Sequence, residues 1–269
     1  MSRVENITAA PRIKPIPATA PETRQRPVPR LSLKRVDAHL VSLMAPESPA
    51  AEQYRALRYA VECEHQPERA TLSCVCSPLP GDGKSITAIN LAGTLAQDSK
   101  ARVLLMEVDL RRPSVTMEDR LALGNTAGRG LVDAILDPSF SLEEVVLHLP
   151  NFNLSVLPAG KRASAPYEAL KSPRFGELLN QARQRYDYVI LDAPPVVPVP
   201  DCRLLIKWVD HFILVVAANR TPREAVDDAL TMMSGGKLLG LVFNGYDRSA
   251  SRYYDYGYGN GKNRGRIRW

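Results

Sequence analysis

The chain has 269 residues, 45% of them hydrophobic, which suits one α/β domain of about 200 residues plus tails. Its formal charge of +6 is unevenly spread: residues 1–30 and 246–269 each hold six basic and two acidic residues, so each tail is +4 and the middle is −2. A broad basic face for duplex DNA on the folded part is therefore not implied, while the tails could meet acidic partners, anionic lipid or nucleic acid.

Residues 1–30 carry six prolines and few large apolar side chains, so they cannot bury enough surface to fold. We read 1–45 as a disordered, proline-rich basic arm. It has no apolar h-region of a secretory signal, and no stretch of the chain reaches the roughly 18–20 apolar residues of a membrane span. After Pro46-Glu47-Ser48-Pro49, residues 50–64 have helical spacing with Tyr54, Leu57 and Val61 on one face. Glu52, Arg55 and Arg58 lie three apart on a second face. That face is either solvated with one internal ion pair, or an interface whose glutamate meets a neighbour's arginine.

The run 71–76 (TLSCVC) reads as a buried strand, and Cys74 and Cys76 alternate along it as small core side chains. The four cysteines fit no zinc spacing, and a reduced compartment follows. The strand breaks at Pro78-Leu79-Pro80-Gly81-Asp82-Gly83, and a helix pattern starts at Lys84-Ser85-Ile86. Strand, glycine turn, Gly-Lys-Ser and helix form a phosphate-binding loop, although Pro78 stands where the first glycine of the usual pattern belongs. Backbone N–H groups of Gly81, Asp82, Gly83, Lys84, Ser85 and Ile86 would cradle an anion at a helix N-terminus. Lys84 would reach the phosphates and Ser85 would reach Mg2+.

Residues 102–108 (RVLLMEV) predict a second strand, buried on both faces, that leads to Asp109. Glu107 and Asp109 are two apart, so they point the same way at the edge where α/β sheets bind ligands. Further on, the pattern predicts a helix over 130–136, a strand over 152–157 and an amphipathic helix over 173–185. The strand 188–192 (YVILD) ends in Asp192 before Ala193-Pro194-Pro195, the Walker B arrangement in which a carboxylate supports Mg2+. A helix over 201–208 and a strand over 211–217 follow. A helix then opens at Thr221-Pro222-Arg223-Glu224, with Thr221 as N-cap, and the last strand is 238–244. The fold class is α/β, of P-loop NTPase type: a mainly parallel sheet with helices on both faces. We set the domain at 46–245, opening with the helical stretch 46–65.

The tail 246–269 holds Tyr253, Tyr254, Tyr256 and Tyr258 among glycine, arginine and aspartate. Its composition leaves three readings: stacking on single-stranded nucleic acid, acceptors of a modification, or a silent, loosely docked segment.

Five features resemble the bacterial tyrosine kinases of capsule and exopolysaccharide synthesis, a stand-alone form within the MinD/ParA-like P-loop ATPases. They are SPLPGDGKS, LLMEVDLRRP, YDYVILDAPP, the E-x-x-R-x-x-R helix and the tyrosine cluster. The resemblance runs from about residue 46 to the end. It implies an ATP-dependent, Mg2+-requiring kinase that phosphorylates its own tail tyrosines in trans between subunits and regulates polysaccharide polymerisation and export. Lys84 would contact the phosphates, with Ser85, Asp109 and Asp192 around the metal. Glu107 stands where the family has an aspartate associated with accepting the tyrosine proton. Asp82 replaces a glutamate and is expected to point outward. Glu52, Arg55 and Arg58 would form a ring-like homo-oligomer interface, which the resemblance implies makes 46–65 the oligomerisation helix. The implied partners are a membrane adaptor of the polysaccharide co-polymerase type and a cognate phosphotyrosine phosphatase, not nucleic acid. The protein would be cytoplasmic and recruited to the inner face of the membrane. A positioning ATPase without kinase activity is the alternative, against which Leu79 counts, because those ATPases place an extra lysine in that region.

Overall fold

The computed structural model describes residues 36–111, 117–123 and 129–246. The tail tyrosines and most of the proline-rich arm lie outside the described residues.

A seven-stranded sheet runs through the middle. Its strands in chain order are β1 (Thr71–Cys76), β2 (Val103–Glu107), β3 (Leu147–Leu149), β4 (Leu154–Leu157), β5 (Tyr188–Asp192), β6 (His211–Ala217) and β7 (Leu238–Asn244). The spatial order is β3-β4-β2-β5-β1-β6-β7, and every pairing is parallel except β3 with β4. β3 was not foreseen: three residues are too few for a period-2 signal. The expected strand over 152–157 begins at Leu154, after a 3₁₀ turn over Pro150–Phe152. The other strands fall within a residue of their predicted bounds, because continuous apolar runs suit a sheet covered on both sides.

Strand parity divides the core. Leu72, Cys74, Leu104, Met106, Val189 and Leu191 face one helical layer. Val75, Val103, Leu105, Ile190 and Ile213 face the other. The first layer includes the helix Pro173–Arg185, with Phe175, Leu178, Leu179 and Ala182 inward as predicted. Truncating Phe175 to alanine would cost about 3–5 kcal/mol, since no water reaches its ring to soften the cavity. The second layer is built on α3 (Lys84–Leu95) and α2 (Pro49–Cys63), which pack together.

Residues ahead of position 46, among them α1 (Val41–Met44), join this layer. Leu40 is buried, and Asn90 of α3 accepts from the Ser42 N–H and hydroxyl while donating to the His39 carbonyl. Packing therefore begins before the expected boundary at residue 46. Two helix ends also differ from expectation. The helix expected over 201–208 is Asp201–Leu205. The helix Arg223–Met232 has Pro222, not Thr221, at its N-cap position.

Candidate active site

Register brings the chemistry to one edge. Val75, Asp192 and Glu107 are in step across β1, β5 and β2. Asp192 has the parity of Ile190, and Glu107 that of Leu105, so both carboxylates point to the face that α3 covers. α3 starts directly after the glycine loop, which carries Lys84 over that edge. Lys84 Nζ lies 2.9 Å from Asp109 Oδ2 and 3.8 Å from Asp192 Oδ1. Burial works against the ammonium, but the charges of Asp192 and Asp109 outweigh it and hold Lys84 above its ordinary value. Burial raises the Asp192 carboxyl, which is 2% exposed.

Two glycines shape the loop. Gly81 and Gly83 have φ of 84° and 102°, where a side chain is strained. A Cβ on Gly83 would also lie 1.9 Å from the amide nitrogen of Asn244. Gly83 is the N-cap of α3 and offers no side chain, so the first N–H groups of this 12-residue helix have no side-chain cap and face the edge. That is an anion cradle. Pro78 fits it: its carbonyl accepts from Val197 N–H, and the preceding Ser77 carbonyl from Val196 N–H.

Asp82 does not point outward. It is 1% exposed, and its carboxylate accepts from the Leu79 N–H and from the Thr221 hydroxyl, at 2.9 and 2.8 Å. This corrects both sequence expectations at once. Thr221 does not cap its helix because its hydroxyl is directed to Asp82, 139 residues away. Arg220 donates to the Gly81 carbonyl and lies 3.8 Å from Asp82, while Asn244 donates to the Asp82 carbonyl. Asn244 ends β7 on the ligand-binding edge, and that position was the one signal that could have marked it.

Glu107 takes a different position from Asp109. It is 5% exposed and accepts from the Ala159 N–H at 2.9 Å and the Met117 N–H at 3.4 Å. Burial, together with the charges of Asp192 and Asp109, pushes its carboxyl up to about 7 against the pull of those two amides. The extra methylene of glutamate gives it the reach to span the ends of β2 and β4.

The donor set suits Mg2+. Asp192 Oδ1 is buried without a hydrogen bond among the described residues, and the Ser85 hydroxyl lies beside that carboxylate. No group of three or more metal-binding side chains occurs among the described residues. Sparse protein ligation of this kind matches an ion that keeps waters and shares substrate phosphates.

The remaining predicted residues lie elsewhere. Arg55 pairs with Glu52 and donates to the Pro46 carbonyl, while Arg58 binds Glu62 and the Thr94 carbonyl of α3. Each has a partner within its own chain. His211 opens β6 and shares a hydrogen bond with Ser73, as a strand-start residue does. Tyr253, Tyr254, Tyr256 and Tyr258 lie outside the described residues.

Comparison with known proteins agrees with this geometry. Residues 75–232 match the family described as an AAA domain (AAA_31). The tyrosine-protein kinase YwqD of Bacillus subtilis is 34% identical over 226 residues, which cover 83% of this chain and 92% of that protein. The succinoglycan biosynthesis transport protein ExoP of Rhizobium meliloti is 31% identical over 236 residues, 86% of this chain but 28% of ExoP. The kinase domain of the Escherichia coli tyrosine kinase ETK superposes with a TM-score of 0.71 at 27% identity, covering 82% of this chain and 85% of that domain.

Proposed function

We propose that this chain, which belongs to the bacterial tyrosine kinase family, transfers the γ-phosphoryl group of ATP to its own C-terminal tyrosines, one subunit presenting its tail to the next. The observation that carries the reading is Lys84, held by Asp109 and Asp192 at the mouth of the glycine loop. Phosphoryl transfer asks mainly for positioning and charge neutralisation. The α3 N-terminus and Lys84 supply both to the β- and γ-phosphates. Ser85, Asp109 and Asp192 would hold Mg2+, which would supply positive charge to neutralise the phosphates. The tyrosine oxygen attacks the γ-phosphorus, the bond to the β-bridging oxygen breaks, and ADP leaves. The phenolic proton passes to Glu107, whose carboxyl near neutrality suits that task.

The tail cluster Tyr253, Tyr254, Tyr256 and Tyr258 is the acceptor, and glycines within it let it reach a neighbour at high effective concentration. Glu52, Arg55 and Arg58 would form the subunit interface by exchanging their internal partners for a neighbour's. No described helix is long and apolar enough to cross a membrane. An adaptor of the polysaccharide co-polymerase type would hold the kinase at the inner face of the membrane. That role is supported by ExoP, a polysaccharide transport protein of which this chain matches a part.

Incubation with ATP and Mg2+, with and without an adaptor's cytoplasmic segment, followed by phosphosite mapping, tests the reading. We expect phosphate within residues 253–258. ATP hydrolysis with those tyrosines unmodified in both conditions would favour a positioning ATPase instead.

A further inference from the structure

A cavity of about 560 Å3 opens beside the site, lined by Arg111, Arg162, Ala163, Ser164 and Pro166. We infer that it is a phosphotyrosine subsite, which holds an already phosphorylated tail residue while a tyrosine two positions away occupies the reaction centre. This rests on the proposed tail phosphorylation.

Position is the first argument. The glycine loop follows β1, whereas the cavity lies past the ends of β2 and β4, and β5 stands between β1 and β2. Two strand spacings of about 4.8 Å separate the loop from the β2 edge. Lys84 bridges that gap to reach Asp109. The cavity is therefore beyond the transferred phosphoryl group, on the acceptor side.

Charge is the second. None of the described residues that line the cavity is acidic. Arg111 donates through Nε and Nη2 to Asp201, at 2.6 and 2.8 Å, and Asp201 is wholly buried. That pair fixes the Arg111 guanidinium, whose Nη1 has no hydrogen bond among the described residues. Arg162 is exposed and has no ion pair among the described residues. A guanidinium fork of this kind matches phosphate oxygens in pairs. The unmodified tail is +4 and would be repelled. Each phosphate adds about −1.5 to −2, so four of them reverse the sign of the tail. The cavity thus selects the product form of the segment, not the substrate form.

Spacing is the third. Asp109 and Arg111 are two residues apart, which separates them by at most about 7 Å of chain. Tyr254, Tyr256 and Tyr258 are also two apart, and in an extended bound peptide alternate residues share one side about 6.7 Å apart. A phosphate on Tyr258 would sit in the cavity as Tyr256 reaches the site, and a phosphate on Tyr256 would do so for Tyr254. Modification then runs along the alternate tyrosines from the C-terminal side.

The test uses the full chain carrying Lys84→Ala, so that nothing is phosphorylated during the measurement. A fluorescent peptide of sequence 251–260, unmodified or phosphorylated on Tyr258, is titrated by anisotropy. We expect the phosphopeptide to bind about tenfold tighter, as a hydrogen-bonded charge pair gives. Arg162→Ala should abolish the preference, and Arg162→Lys should keep part of it. Equal binding of the two peptides, a preference that survives Arg162→Ala, or full displacement of the phosphopeptide by ATP would each overturn the inference. The peptides are synthetic, so this result stands whether or not the parent chain labels its own tail. Failure of tail labelling would appear separately, in the phosphosite map.

Discussion

The ligand-binding edge of the sheet has two unlike halves. Around β1 and β6 the glycine loop is interlocked: Asp82, Thr221, Asn244, Arg220 and the Gly81 carbonyl bind one another. Around β2 and β4, Glu107 clips two strand ends together, and the open cavity past them is lined by Arg162, which has no ion pair among the described residues. The first half fixes a phosphate-binding backbone in one shape, which suits an invariant ligand such as a nucleotide phosphate. The second tolerates a changing ligand, which suits an acceptor segment. Mutations in the first half should therefore damage stability or chemistry, and those in the second should alter selection.

The largest expected effect is on the first half. Lys84→Ala should lower tyrosine labelling at least about a hundredfold, as loss of a transition-state charge partner does, with the far-ultraviolet circular dichroism unchanged. Asp82→Ala comes next. It removes the acceptor of the Leu79 N–H and of the Thr221 O–H at a half-buried place, which should cost about 2 kcal/mol in urea unfolding. A loss under half a kcal/mol would mean that the loop is not interlocked.

Glu107 sits on the border between the halves, and pH tests it. Its folded value of about 7 is above the ordinary 4.5, so the folded state binds more protons between those values. The stabilisation is complete below the ordinary value and is lost as pH rises towards and through 7. By linkage it amounts to at most about 3 kcal/mol. Glu107→Gln should flatten the decline of the thermal midpoint between pH 5 and 8. An unchanged slope would show that Glu107 is not the titrating group. The smallest effect belongs to the open half: Arg162→Ala should shift stability by no more than about 0.5 kcal/mol, as for most exposed surface changes.

The same division decided what was legible in the sequence. The strands, α3 and the converging Lys84, Asp109 and Asp192 are written in contiguous runs, and register alone brings them together. The inward turn of Asp82 was not legible, because its partner Thr221 is 139 residues away and looks locally like a helix cap. Nor was the clamp of Arg111 by Asp201, which spans 90 residues. Glu107 was read only as standing where the family has the aspartate associated with accepting the tyrosine proton. Its hold on the Ala159 and Met117 amides depends on where two loops settle, and no spacing encodes that. β3 was missed because three residues carry no periodicity, and Leu40 because nothing local marks Asn90 as its neighbours' anchor.

The central claim is that the glycine-loop half serves one subunit's chemistry while the open half receives another subunit's tail. Mixing two variants tests it directly: one carries Lys84→Ala with its tail intact, the other an active site with Tyr253, Tyr254, Tyr256 and Tyr258 changed to phenylalanine. With ATP and Mg2+, the account predicts phosphotyrosine on the tail of the Lys84→Ala chain. Its absence from that tail, while the partner variant hydrolyses ATP and the unmutated chain labels itself, would contradict it.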